Sequence, residues 1–194
     1  MEFSPAVRSR WNTTIFEGVN TVRSAIISLA IVGLLFVVGC SQESGKTAAP
    51  TPSAGGLKYI LGQEPPKAND VIGARETAKS GEPVVVVGRI GGSANPWIEN
   101  RAAFSIVDRS LKACSDIPGD ACPIPWDYCC ETDKLPTGTA LVKVVDGEGN
   151  LVKEDARQLL GVKELSTVVV EGKAERDKTG NLTILATHIF VKQD

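Results

Sequence analysis

The apolar pattern of the chain begins with one uninterrupted block. Residues 25–39, AIISLAIVGLLFVVG, run for fifteen positions without a charge, directly after Arg23 and Ser24. Residues 41–56, SQESGKTAAPTPSAGG, then hold no aromatic and no large aliphatic side chain. Beyond Leu57 the pattern changes to short β-branched runs between turn residues. Residues 83–90 (PVVVVGRI), 102–108 (AAFSIVD), 139–145 (TALVKVV), 166–174 (STVVVEGKA) and 182–192 are therefore predicted strands. Asp146-Gly147-Glu148-Gly149-Asn150 and Asp177-Lys178-Thr179-Gly180-Asn181 are the turns that close two of them. Leu151 and Val152 can pair back across the first turn. Two helices are predicted between these runs. One is capped by Asn69 or Asp70 and continues to Lys79, with Ser80-Gly81 ending it. The other has Val152, Ala156, Leu159 and Leu160 on one face and Gly161 as its stop.

The resulting order is three strands, a helix and two strands. Val87-Gly88-Arg89 and Glu171-Gly172-Lys173 each set a glycine after a valine run, the mark of a strand that bends sharply. This order resembles the OB-fold, a five-stranded Greek-key barrel with a helix between strands three and four. VVVVGRIGG and ELSTVVVEGKAERDKTGNLTILATHIFVK resemble strands of tRNA-anticodon-binding-like OB domains of bacterial envelope proteins. The PWDYCC segment at 125–130 is similar to one in uncharacterised planctomycete-type lipoproteins. The resemblance covers residues 83–192 and implies a fold rather than an activity.

The block at 25–39 is short for a membrane span, which needs about 20 apolar residues to cross ~30 Å of hydrocarbon. A basic residue, a short apolar core and small residues at its end predict a signal peptide instead. Val37-Val38-Gly39-Cys40 resembles the bacterial lipobox, which implies cleavage before Cys40, lipid on its thiol and attachment to an envelope membrane. The expected organisation is thus a signal peptide at 1–39, a lipidated Cys40 with a flexible tether to 56, and an OB-like domain at 57–194. Inner and outer membrane are not distinguished.

Removing residues 1–39 takes away three arginines and two glutamates, which leaves 18 Lys+Arg against 21 Asp+Glu, a net charge of −3. A chain of that charge lacks the basic surface that free nucleic acid requires. An envelope protein, a polysaccharide or an oligonucleotide are the partners this leaves.

The densest chemistry lies in an insert at 111–136 between the second and third strands. It carries Cys114, Cys122, Cys129 and Cys130 in the spacing C-x7-C-x6-C-C. Outside the cytoplasm such a set reads as two structural disulfides, most easily the crossed pairs 114–129 with 122–130 or 114–130 with 122–129. The alternative is a zinc or other soft-metal site, although two short C-x-x-C knuckles are missing. A thiol-redox module is the third reading, weakened by the same lack of C-x-x-C. Trp126 and Tyr128 can serve either as stacking platforms for a ligand or as the miniature core of the insert.

Carrying the OB ligand face over to this sequence marks Arg89, Trp97, Arg101, Phe104 and Arg109, with Lys178 from the far loop. His188, the single histidine, reads as a strand residue. No G-x-S-x-G elbow, P-loop, HExxH or dinucleotide-binding glycine pattern is present, so no catalytic residue is assigned. Two functions follow: a non-catalytic binding module on a tether, or a soft-metal or redox module built on the insert.

Overall fold

The computed structural model describes residues 50–193. The apolar block, Cys40 and most of the tether lie outside the described residues. Among the described residues, no helix is long and apolar enough to cross a membrane.

The described residues are mostly sheet. Six strands form one mixed sheet: β1 (Asn69–Asp70), β2 (Pro83–Ile90), β3 (Ala103–Val107), β4 (Thr139–Val144), β5 (Thr167–Arg176) and β6 (Leu182–Val191). Three short helices accompany them: α1 (Val71–Thr77), α2 (Leu135–Gly138) and α3 (Ala156–Leu160). The strands run in the order β1-β2-β3-β4-β6-β5, and β2 also pairs with β5. The β4–β6 pairing is parallel, while β2–β3, β3–β4, β2–β5 and β5–β6 are antiparallel.

The five predicted strands are therefore present, and β1 is a sixth. Asn69 and Asp70, expected only as helix caps, pair in parallel with Val86 and Val87 before the chain enters α1. The turn after β4 behaves as its residues predict, with Leu151 bridging Val145 and Val152 N–H donating to Val144 O at 3.0 Å. Helix α3 lies between β4 and β5. It is capped by the Asp155 carboxylate and stopped by Gly161 at φ 63°.

Both glycines in the valine runs lie at close approaches, and at Gly172 the approach excludes a side chain. A Cβ on Gly88 would stand 3.0 Å from Ile106 Cβ. On Gly172 it would stand 2.2 Å from the Leu185 carbonyl oxygen. The β5–β6 register shifts between Glu171 and Gly172, a bulge that bends the pair where the glycine removes its side chain.

The main core collects the inward residues of all the long strands, including Val86, Ile90, Phe104, Val142, Val170, Ile184 and Ile189, with Leu159 and Leu160 from α3. Residues 50–56, assigned from composition to the tether, also make contacts with α3. Ser53 N–H donates to the Gln158 and Leu159 carbonyls, and Gly56 is buried against Leu159. These contacts bring the segment into the folded part, ahead of the Leu57 boundary.

The cap of α1 differs from its sequence expectation. Asp70 occupies the cap position, but its carboxylate accepts from Arg109 Nε at 2.8 Å instead. The first turn is satisfied by Asp108 at the end of β3, whose Oδ2 accepts from Ile72 N–H at 2.8 Å. Its Oδ1 accepts from the Ser110 N–H and hydroxyl. Asp108 is 3% exposed. Burial alone would raise its pKa, but the donors from Ile72 and Ser110 outweigh it and hold the carboxyl below its ordinary value. Replacing it with asparagine should cost roughly 1.5–3 kcal/mol in urea unfolding at pH 7, the scale of hydrogen bonds to a charged group. Because the folded pKa is depressed, this contribution is complete above the unfolded value near ~4 and fades as pH falls through the folded one. The gap between the native protein and Asp108→Asn should accordingly narrow in acid.

Candidate metal centre and adjoining cleft

The insert is held by a second, smaller core. Val107, Leu111, Ala113 and Tyr128 are buried together, with Ile72, Leu135 and Leu165 packed against them. The Tyr128 ring lies so close to Gly91 that a Cβ there would stand 2.8 Å from Cε2. Its hydroxyl is buried without a hydrogen-bond partner, and burial pushes its pKa up to about 12. Tyr128 therefore belongs to the insert's own core, as one of its two expected members, while Trp126 is only half-buried and lies outside it.

Two backbone bonds fold the insert on itself. Cys114 N–H donates to Asp127 O at 2.9 Å, and Ser115 N–H donates to Pro125 O at 3.0 Å. Asp116, in the same short 3-10 turn, accepts from Ala113 N–H at 3.0 Å and from Arg89 Nη1 of β2 at 2.5 Å. The first cysteine is thereby placed beside the third. On the other limb, Asp120 accepts from Cys122 N–H at 2.9 Å and turns that residue inward.

The outcome is a cluster of sulfur atoms. Sγ of Cys114, Cys122 and Cys129 all lie within 4.8 Å of one another. Cys114 and Cys129 approach to 3.2 Å, and Cys130 Sγ lies 3.9 Å from that of Cys129. All four are free thiols, so neither crossed disulfide pattern is formed in this structure, although 114–129 is close. Cys114 is buried, Cys122 half-buried, and Cys129 and Cys130 exposed. Burial pushes the Cys114 thiol up to about 12, with the neighbouring thiols adding to the effect. It keeps its proton at neutral pH unless a cation replaces it.

The donor set is sulfur alone, without imidazole or carboxylate. Such a set selects soft ions, copper(I) or zinc above calcium or magnesium. The chain matches no family model and no curated protein.

The ligand-face residues marked from sequence do not come together. Phe104 is fully buried and Trp97 is 6% exposed. Their rings pack at 5.8 Å between centroids, and Trp97 Nε1 donates to Glu164 at 2.7 Å. They belong to the main core because β3 and the loop before it turn these side chains inward. Arg109 is exposed and paired with Asp70, and half-buried Arg101 donates to the Asn100 carbonyl. Lys178 lies on the exposed β5–β6 turn. His188 stands on β6, 4.0 Å from Glu171.

Arg89 and Trp126 do share a cavity. With Lys163, Glu164, Leu165 and Thr167 they line a cleft of about 640 Å³ between the insert, β2 and the start of β5. Trp126 is fixed there by donation from Nε1 to Ala94 O at 3.0 Å. Leu165 has φ 64°, an uncommon conformation for a leucine, with its N–H bonded to Ile90 O at 2.9 Å. The segment Lys163–Thr167 carries no sequence motif. Its advance signals are the α3 stop at Gly161 before it and the predicted strand that opens at Ser166.

Proposed function

We propose that this chain is an envelope lipoprotein, held by lipid on Cys40, whose folded part is an OB-type barrel carrying a soft-metal thiolate centre. The single observation behind the metal reading is the convergence of Cys114, Cys122 and Cys129, three sulfurs within 4.8 Å of one another with one of them buried. Cys130, exposed and 3.9 Å from Cys129, is close enough to serve as a fourth or exchanging ligand. The pairing sequence β2–β3–β4–β6–β5–β2, with parallel β4–β6, supports the OB-type barrel. The lipobox-like VVGC supports the anchor.

Three thiolates with a neighbouring fourth can close a site around one ion. Bound metal would also contribute to folding of the insert, because ligand geometry is formed only in the folded chain. Metal content and thiol titration of the protein isolated without oxygen test the reading. About one equivalent of zinc or copper with reduced cysteines supports it; a metal-free protein with two disulfides overturns it.

A further inference from the structure

The four thiols of the insert are graded by depth. Cys114 is 2% exposed, Cys122 is half-buried, and Cys129 and Cys130 are exposed. The last two occupy a turn closed by Glu131 N–H donating to Tyr128 O at 2.8 Å, with the Tyr128 side chain buried at its root. From this turn Cys129 Sγ reaches to 3.2 Å from Cys114 Sγ. Cys130 Sγ lies 3.9 Å from that of Cys129 and outside the group of three. Cys129 thus belongs to an inner set with Cys114 and Cys122, and to an outer pair with Cys130.

Donor number decides which ion suits the inner set. A structural zinc ion takes four ligands in a tetrahedron. Among the described residues, no histidine or carboxylate joins the three sulfurs, and Cys130 stands outside them. Copper(I) needs only two or three donors, and soft thiolates select it. Distance then gives the outer pair its role. With metal–sulfur bonds of about 2.3 Å, two thiolates on one three-coordinate ion stand about 4 Å apart. The Cys129–Cys130 separation of 3.9 Å fits that edge, so an ion on Cys129 can also be taken by Cys130.

Given the metal reading proposed above, on which this rests, we infer that the cluster transfers copper(I) to a partner that presents paired thiols, with Cys130 as the exit ligand. Cys114, Cys122 and Cys129 are the holding position. Cys130 loses its proton to water as its sulfur bonds the ion, the bond to Cys114 breaks, and that sulfur takes up a proton. At the exposed Cys129–Cys130 edge the acceptor's thiols lose their protons and displace the remaining protein thiolates, each of which takes one up. Water supplies the difference. Copper stays in the +1 state throughout, so no oxidant or reductant is involved.

The test loads the full chain with copper(I) in detergent without oxygen and mixes it with a small peptide bearing two cysteines. Copper passing a filter with the peptide is counted at timed intervals, and a peptide bearing two histidines is the comparison acceptor. Cys130→Ser should slow transfer to the dithiol peptide about tenfold or more while changing copper affinity less than about threefold. Cys130→Met, which restores a soft sulfur, should keep the rate within about threefold of the native one. Cys130 is exposed, so neither variant disturbs the core of the insert. The histidine peptide should accept copper at least about tenfold more slowly. Equal transfer rates for the native protein and Cys130→Ser would overturn the inference. So would a loss of affinity as large as that of Cys114→Ser, which would make Cys130 a fourth ligand of a closed site. Equal transfer to both peptides would overturn the partner class, and a centre that takes zinc but not copper(I) would overturn the ion. A protein that binds neither would overturn the metal reading as well.

Discussion

Replacing Gly172 with alanine is expected to lower the unfolding free energy by about 3 kcal/mol, at the upper end of the usual cost of overpacking. For a folded part of this size the melting temperature should drop by about 10 °C. The new Cβ would stand 2.2 Å from the Leu185 carbonyl oxygen, 2.8 Å from its carbon and 2.9 Å from Ala186 Cα. All three are backbone atoms, so no side-chain rotation relieves the contact. The bulge at Glu171/Gly172 must open, and with it the longest antiparallel pairing of the sheet. Gly56 faces a shorter contact still, 1.6 Å from Leu159 O, also a backbone atom, so Gly56→Ala should destabilise as well. Gly73→Ala provides the control. It lies within α1 with nothing within 4 Å of the new Cβ, so it should be neutral or stabilise by up to about 1 kcal/mol. Equal melting of Gly172→Ala and the native protein would mean that the bulge is absent.

Cys114→Ser should weaken soft-metal binding by more than about a hundredfold, since even the partners behind a ligand commonly matter by 10–100-fold. Cys114 is the buried member of the cluster, and its sulfur lies 3.2 Å from that of Cys129. Cys130→Ser should cost less, because Cys130 stands outside the group of three. Affinity should also be strongly pH-dependent. The Cys114 pKa is raised to about 12, so the ion must displace a proton throughout the neutral range. Lowering the pH therefore weakens binding by about tenfold per unit for each thiol that must be deprotonated. Chelator competition at pH 6 and 8 measures both effects. A Cys114→Ser protein that holds metal as tightly as the native one would leave the cluster without its assigned role.

The strands could be read from the sequence because β-branched runs, the bends at Gly88 and Gly172 and the DGEGN and DKTGN turns are local signals. The end of α3 followed in the same way from Gly161, but its start did not: Val152, expected on the helical face, bonds to Val144, and α3 begins at Ala156. What joins distant segments left no such trace. Asp108 caps α1 across 36 residues, and Asp70, the local candidate, is drawn away by Arg109. Phe104 alternates with residues of either face in the sequence, and only the sheet register shows that it points inward. The cysteine spacing lacks the pattern of a known knuckle, yet the backbone bonds of residues 114 and 115 to 127 and 125 bring its sulfurs together. Trp126 and Tyr128, two residues apart, part company because Tyr128 packs on Gly91 while Trp126 turns to Ala94.

The thiolate centre is the central claim, and X-ray absorption at the metal edge addresses it most directly. On protein isolated without oxygen, the account predicts a metal surrounded by at least three sulfur scatterers at about 2.3 Å, with the sulfur count reduced in Cys114→Ser. A shell dominated by nitrogen or oxygen, or no metal in a protein whose cysteines are all oxidised, would contradict it.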